Sequence, residues 1–182
     1  VNHTRFSLHG AGYSNRYQGN RSRDEHGITS DDYLGVEVLA GHALMADLPM
    51  MPGGAIRKYW LLQPFAEVVA HDEIVAVENP DGDLHRLLVR WASGATAWVN
   101  RGTNDWTIIG RTLPPYGFVA QAGSVVCSVE KIGDRVIEQS SVGPIRYVNA
   151  RPPDAETLAI RPAAERLEPL EGRNFRLITH WE

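Results

Sequence analysis

The change of hydrophobic period at residue 73 constrains this chain more than any other feature. Ahead of it, apolar residues recur at helical spacing. Behind it they alternate, in short runs separated by turn residues about every ten positions. Ile74, Val75 and Val77 form a first strand, closed by the turn Asn79-Pro80-Asp81-Gly82-Asp83. Leu87 to Trp91 and Thr96 to Asn100 are β-rich runs joined by Ala92-Ser93-Gly94-Ala95, a hairpin signal. Trp106 to Ile109, Gly117 to Ala120, Ser124 to Glu130, Arg135 to Ser140 and Ile145 to Asn149 continue the series. Ile132-Gly133-Asp134 and Gly143-Pro144 supply the later turns. Strands so spaced are expected to form a sandwich or small barrel.

The front half reads as strand, long loop, helix, short loop, helix. Thr4 to Leu8 is strand-like. Thr29 or Ser30 caps a first helix, and Asp31 and Asp32 place negative charge where its first N–H groups lack partners. Leu34, Val38, Met45 and Leu48 follow its apolar spacing, with Leu44 beside that face. Gly35 and Gly41 weaken the helix but permit close packing. The stretch from Pro49 to Gly54 ends it, and a second helix starts near Ala55 with Ile56, Tyr59, Trp60 and Leu62. Pro64 is expected to kink or restart that helix before Ala66 to His71. Val38, Leu44, Trp60 and Leu62 are expected to pack near the sheet.

The expected fold class is therefore α+β, a short strand-loop-helix-helix front followed by an antiparallel β-sandwich. Residues 1–72 form the helical part, 73–150 the sandwich, and 151–182 a connector and final strand that could begin a further β-domain. Within that tail Leu158 to Leu170 is mixed, since Pro162 and Pro169 oppose a helix, and Phe175 to Trp181 alternates again. The chain opens on Val-Asn, with neither a basic leader nor an apolar signal core, and both ends fall in strand-like runs. It is expected to be an excised piece of something longer; the alternative is a complete small protein with two edge strands.

Composition removes several classes of function. Eighteen Lys plus Arg against 22 Asp plus Glu give a net charge of -4, so nothing favours a nucleic-acid partner. Apolar runs such as Tyr59 to Leu62 are far too short for a membrane span. A single cysteine, Cys127, excludes an intrachain disulfide and a Cys-based zinc cluster, and its apolar run suggests a core thiol. The seven histidines show no metal spacing, Gly10-Ala11-Gly12 lacks a nucleotide fingerprint, and no Gly-x-Ser-x-Gly elbow occurs. No cofactor or metal is expected.

Two groups of residues remain as candidate sites. The loop from His9 to Ser30 is long for a strand-to-helix connection and carries His9, Tyr13, Arg16, Tyr17, Asp24, Glu25 and His26. Tyr, Arg and carboxylate side chains suit the hydroxyls of a sugar; a solvated loop carries the same residues. Asp24, Glu25 and His26 are the candidate catalytic groups, and Asp24 or Glu25 would need a second carboxyl about 5 to 10 Å away for glycoside hydrolysis. Asp31 and Asp32 could supply one, but serve equally as helix-start charges. Trp98 and Trp106 are candidates to stack on sugar rings, and the competing reading places most of the five tryptophans in the core.

Two longer stretches carry a resemblance. Asp32-Tyr33-Leu34-Gly35-Val36-Glu37-Val38-Leu39-Ala40-Gly41-His42, followed by Lys58-Tyr59-Trp60-Leu61-Leu62-Gln63-Pro64, resembles the last helical units of a glycoside hydrolase barrel. Gly94-Ala95-Thr96-Ala97-Trp98-Val99-Asn100-Arg101, Trp106 and Leu113-Pro114-Pro115-Tyr116-Gly117-Phe118 resemble the β-domain appended to such barrels. The similarity spans most of residues 4–149. It implies an accessory or structural C-terminal portion of a carbohydrate-active enzyme, whose partners would be carbohydrate and the remainder of the parent enzyme. No acid or nucleophile motif of the family is matched, so the implied chain is inactive alone. A self-contained carbohydrate-binding sandwich and a small hydrolase using the 9–30 loop stand as alternatives.

Overall fold

The computed structural model describes residues 30–41, 52–151, 162–169 and 175–181. Helix α1 (Ser30–Ala40) is followed by α2 (Pro52–Val69). The first helix is shorter than its apolar spacing suggests. Gly41 adopts φ 60°, a left-handed conformation that ends the helix, and its N–H reaches back to the Val38 carbonyl at 3.2 Å. Leu44, Met45 and Leu48, expected on the same face, lie outside the described residues. The second helix starts three residues before the expected Ala55, at Pro52. Proline costs nothing there, because an N–H at the first helical position has no intrahelical acceptor.

Pro64 was expected to kink or restart this helix, and α2 runs through it without a restart. Proline has no N–H, so the Trp60 carbonyl four residues earlier loses its helical partner. The Ser140 hydroxyl, from a strand beneath the helix, donates to that same carbonyl. A side chain of the sheet thus replaces the missing rung. Ser140→Ala should cost about 1 to 3 kcal/mol in a chemical denaturation experiment, the penalty of an unsatisfied buried carbonyl. In a Pro64→Ala background, which restores the helical donor, the same substitution should cost less than half as much.

The sheet strands are β1 (Ile74–Glu78), β2 (Arg86–Trp91), β3 (Thr96–Asn100), β4 (Trp106–Ile108), β5 (Arg111–Leu113), β6 (Phe118–Ala122), β7 (Val125–Ile132), β8 (Arg135–Val142), β9 (Ile145–Arg151), β10 (Pro162–Pro169) and β11 (Phe175–Trp181). Nine form one sheet in the order β1-β2-β3-β6-β7-β8-β9-β11-β10, and β4-β5 form a separate two-stranded sheet. From β1 to β9 every pairing in the large sheet is antiparallel. β11 joins β9 in parallel, and β10 pairs antiparallel with β11. The fold is α+β, with a helix-helix front before the strands and layers on both sides of the sheet. The alternating runs mark the strands well. β5 has only three residues and was not separately expected, and β10 falls in the stretch that read as mixed.

Alternation decides which residues meet the helices. In β6, Phe118 and Ala120 join the helix-side core while Val119 between them faces the other way. In β3, Ala97 and Val99 face the helices and Trp98 does not. Leu34, Val38, Leu61, Leu62, Phe65 and Val69 close the helix-side core, with Trp60 packed against it. Gly35 allows this approach: a Cβ there would lie 2.9 Å from Val99 Cγ1. On the opposite face the β4–β5 hairpin supplies the cover, and Trp106, Leu113 and Val119 form a second, smaller core with Trp98 and Ile108.

Cys127 lies in the helix-side core, and burial pushes its thiol up to about 12. A thiol-specific reagent at pH 8 should therefore label the folded protein at least about 100-fold more slowly than the denatured chain, because the thiolate is the nucleophile. The sign also bears on stability. The unfolded thiol ionises near its ordinary value while the folded one does not, so this residue's contribution is lost as pH rises from about 9 toward about 12.

Candidate functional site

Of the residues singled out from the sequence, His9, Tyr13, Arg16, Tyr17, Asp24, Glu25 and His26 lie outside the described residues. The two described candidates, Trp98 and Trp106, come together on the sheet face away from the helices. Register sets Trp98 between Leu88 of β2 and Val119 of β6. Trp106 begins β4, paired with Leu113 of β5. Their ring centroids are 6.1 Å apart, with planes tilted by 57°. Trp106 is only 4% exposed and Trp98 is half-buried, so the pair is largely interior in this arrangement.

Arg86 lies over the Trp106 ring, its guanidinium carbon 5.9 Å from the centroid. It is held by Asp81 at 2.7 Å and Asp83 at 3.4 Å. The hydrogen bond from Arg86 holds the Asp81 carboxyl below its ordinary value. The turn that read as β-turn chemistry therefore also fixes a cation against an indole.

On the same sheet face is a polar cluster that sequence reasoning missed. Glu130 Oε1 accepts three hydrogen bonds, from Arg111 at 2.6 Å, the Ser128 hydroxyl at 2.7 Å and Gln139 Nε2 at 2.8 Å. Ser128 and Glu130 alternate with Cys127 and Val129 along β7, which marks them as one face in the sequence. Gln139 joins them only through the β7–β8 register, and Arg111 only through the short strand β5. The result is a carboxylate fixed by three donors from three strands. Among the described residues no group of three His, Cys, Asp or Glu could hold a metal ion.

The motif that carried the resemblance is used for architecture. Asn100 is 0% exposed. Its Nδ2 donates to the carbonyls of Asn104 at 2.8 Å, Leu113 at 3.1 Å and Pro114 at 2.9 Å, while its Oδ1 accepts from the Gly102 N–H at 3.0 Å. Its own N–H bonds the Gly117 carbonyl at 2.9 Å. Gly117 has no room for a side chain, since a Cβ would lie 2.5 Å from Pro114 Cδ and 2.6 Å from the Val129 carbonyl oxygen. Tyr116 before it is held at φ 62°. One amide thus ties the end of β3 to both ends of the β4–β5 excursion.

No helix among the described residues is long and apolar enough to cross a membrane. No family model matches the chain, and no curated protein matches it significantly.

Proposed function

We propose that this chain is an accessory, structural C-terminal portion of a carbohydrate-active enzyme of glycoside hydrolase type, without catalytic capacity of its own. One observation supports this reading above the others. The residues by which the chain resembles an appended β-domain are spent inside the fold: Asn100, Trp106, Leu113 and Phe118 are buried, and Gly117 fills a gap that admits no Cβ. A residue that ties three carbonyls together is serving a scaffold. A self-contained sugar-binding sandwich instead needs exposed aromatic rings on its sheet. On strands β2 to β9, Trp91, Trp106, Phe118 and Tyr147 are buried and Trp98 is half-buried. The test is a glycan array together with a panel of aryl glycosides, applied to this chain. Neither turnover nor tight glycan binding is expected, and turnover that falls on substituting Asp24 or Glu25 would overturn the accessory assignment.

A further inference from the structure

The β4–β5 hairpin differs from the rest of the β structure in how it is held. It shares no ladder with the nine-stranded sheet, and each of its strands has three residues. An isolated two-stranded hairpin of this size is marginal in water, so side chains must hold it down. The described contacts that do so include the Trp106–Leu113–Val119 core, Trp98 and Arg86 against the Trp106 ring, the Arg111–Glu130 pair at 2.6 Å and the exposed Lys131–Asp105 pair at 2.6 Å. Its tip adds strain. Ile109 sits at φ 50° followed by Gly110 at φ 73°, a turn that favours Asn or Gly over a β-branched residue, and Ile109 is 55% exposed. Both bases of the hairpin, by contrast, are pinned by Asn100 through the Asn104, Leu113 and Pro114 carbonyls.

A strained, weakly anchored tip on firmly pinned ends is the construction of a hinged cover. We propose that the β4–β5 hairpin is a flap that opens as a unit while the large sheet stays intact, uncovering the Trp98 ring and the Glu130 carboxylate on one sheet face. Opening withdraws Arg111 from Glu130 but leaves Ser128 and Gln139 in place, so the carboxylate stays oriented as it gains a free acceptor site. An indole, an oriented carboxylate and an amide on one sheet face would receive a ring with one apolar face and adjacent hydroxyls. That ligand class rests on the carbohydrate reading above; the flap does not.

Hydrogen exchange of the full chain, without ligand, decides the matter. Amides of β4 and β5 are expected to exchange at least about 100-fold faster than those of β3, β6 and β7, because they open without global unfolding. Arg111→Ala should speed the hairpin amides about 10-fold further and leave the large sheet unchanged. Ser140→Ala, which loosens α2 instead, should speed the most protected sheet amides and leave the hairpin rates alone. Hairpin amides exchanging at the rate of the sheet, or following Ser140→Ala as the sheet does, would overturn the flap.

Discussion

Asn100→Asp is expected to destabilise this protein more than Asn100→Ala, although aspartate nearly matches asparagine in shape. Alanine removes the donors to three carbonyls and the acceptor for Gly102 N–H. With an unsatisfied buried group costing about 1 to 3 kcal/mol, a total loss of roughly 3 to 5 kcal/mol follows. Aspartate keeps the acceptor but turns a carboxylate toward carbonyl oxygens, adding repulsion and desolvation on top, for a loss on the order of 5 kcal/mol at neutral pH. Burial and those oxygens would raise the folded-state value of the new carboxyl. Its penalty is thus full above that raised value and shrinks as pH falls through it toward the unfolded carboxyl's. Denaturation midpoints at pH 4 and pH 7 check this: the deficit relative to wild type should be smaller at pH 4.

The second large effect is expected at Trp91, which is 2% exposed and meets Phe65 edge-on at 5.4 Å and 81°. Trp91→Ala removes the largest fully buried side chain of the helix-side core and should cost about 3 to 5 kcal/mol. Trp91→Phe should cost under about 1.5 kcal/mol, because the buried Trp91 Nε1 has no hydrogen-bond partner among the described residues and none is lost with it. Urea denaturation of the two variants separates packing from polar contributions.

A gain is expected at the hairpin tip. Ile109→Asn or Ile109→Gly should raise the stability of the hairpin by about 1 kcal/mol, since either residue accepts a left-handed φ that isoleucine resists. Slower exchange of the β4 and β5 amides is the measurement. Unchanged or faster exchange would show that the tip stores no strain.

These cases show how far the sequence could be read. Period two marked the strands because half of each strand's residues face a core, as Phe118 and Ala120 do on one side and Val119 on the other. Gly41 was legible as a weak point but not as a stop, since only its φ of 60° distinguishes a terminator from a packing glycine. Pro64 does not restart the helix for a tertiary reason: the Trp60 carbonyl it orphans is satisfied by Ser140, eighty positions away in sequence. The Glu130 cluster was hidden in the same way, because three of its members lie on three different strands. Asn100 was noticed as part of a motif, but its role depends on carbonyls that no pattern of side chains encodes.

The most direct test of the proposed scaffold role is the kcat for glycoside hydrolysis of the proposed parent enzyme, with and without Asn100→Ala. The comparison belongs at a temperature where circular dichroism shows both folded. A scaffold residue should lower the melting temperature while leaving kcat within about twofold. A fully folded variant with kcat reduced more than about 10-fold would place this asparagine in the catalytic machinery and contradict the account.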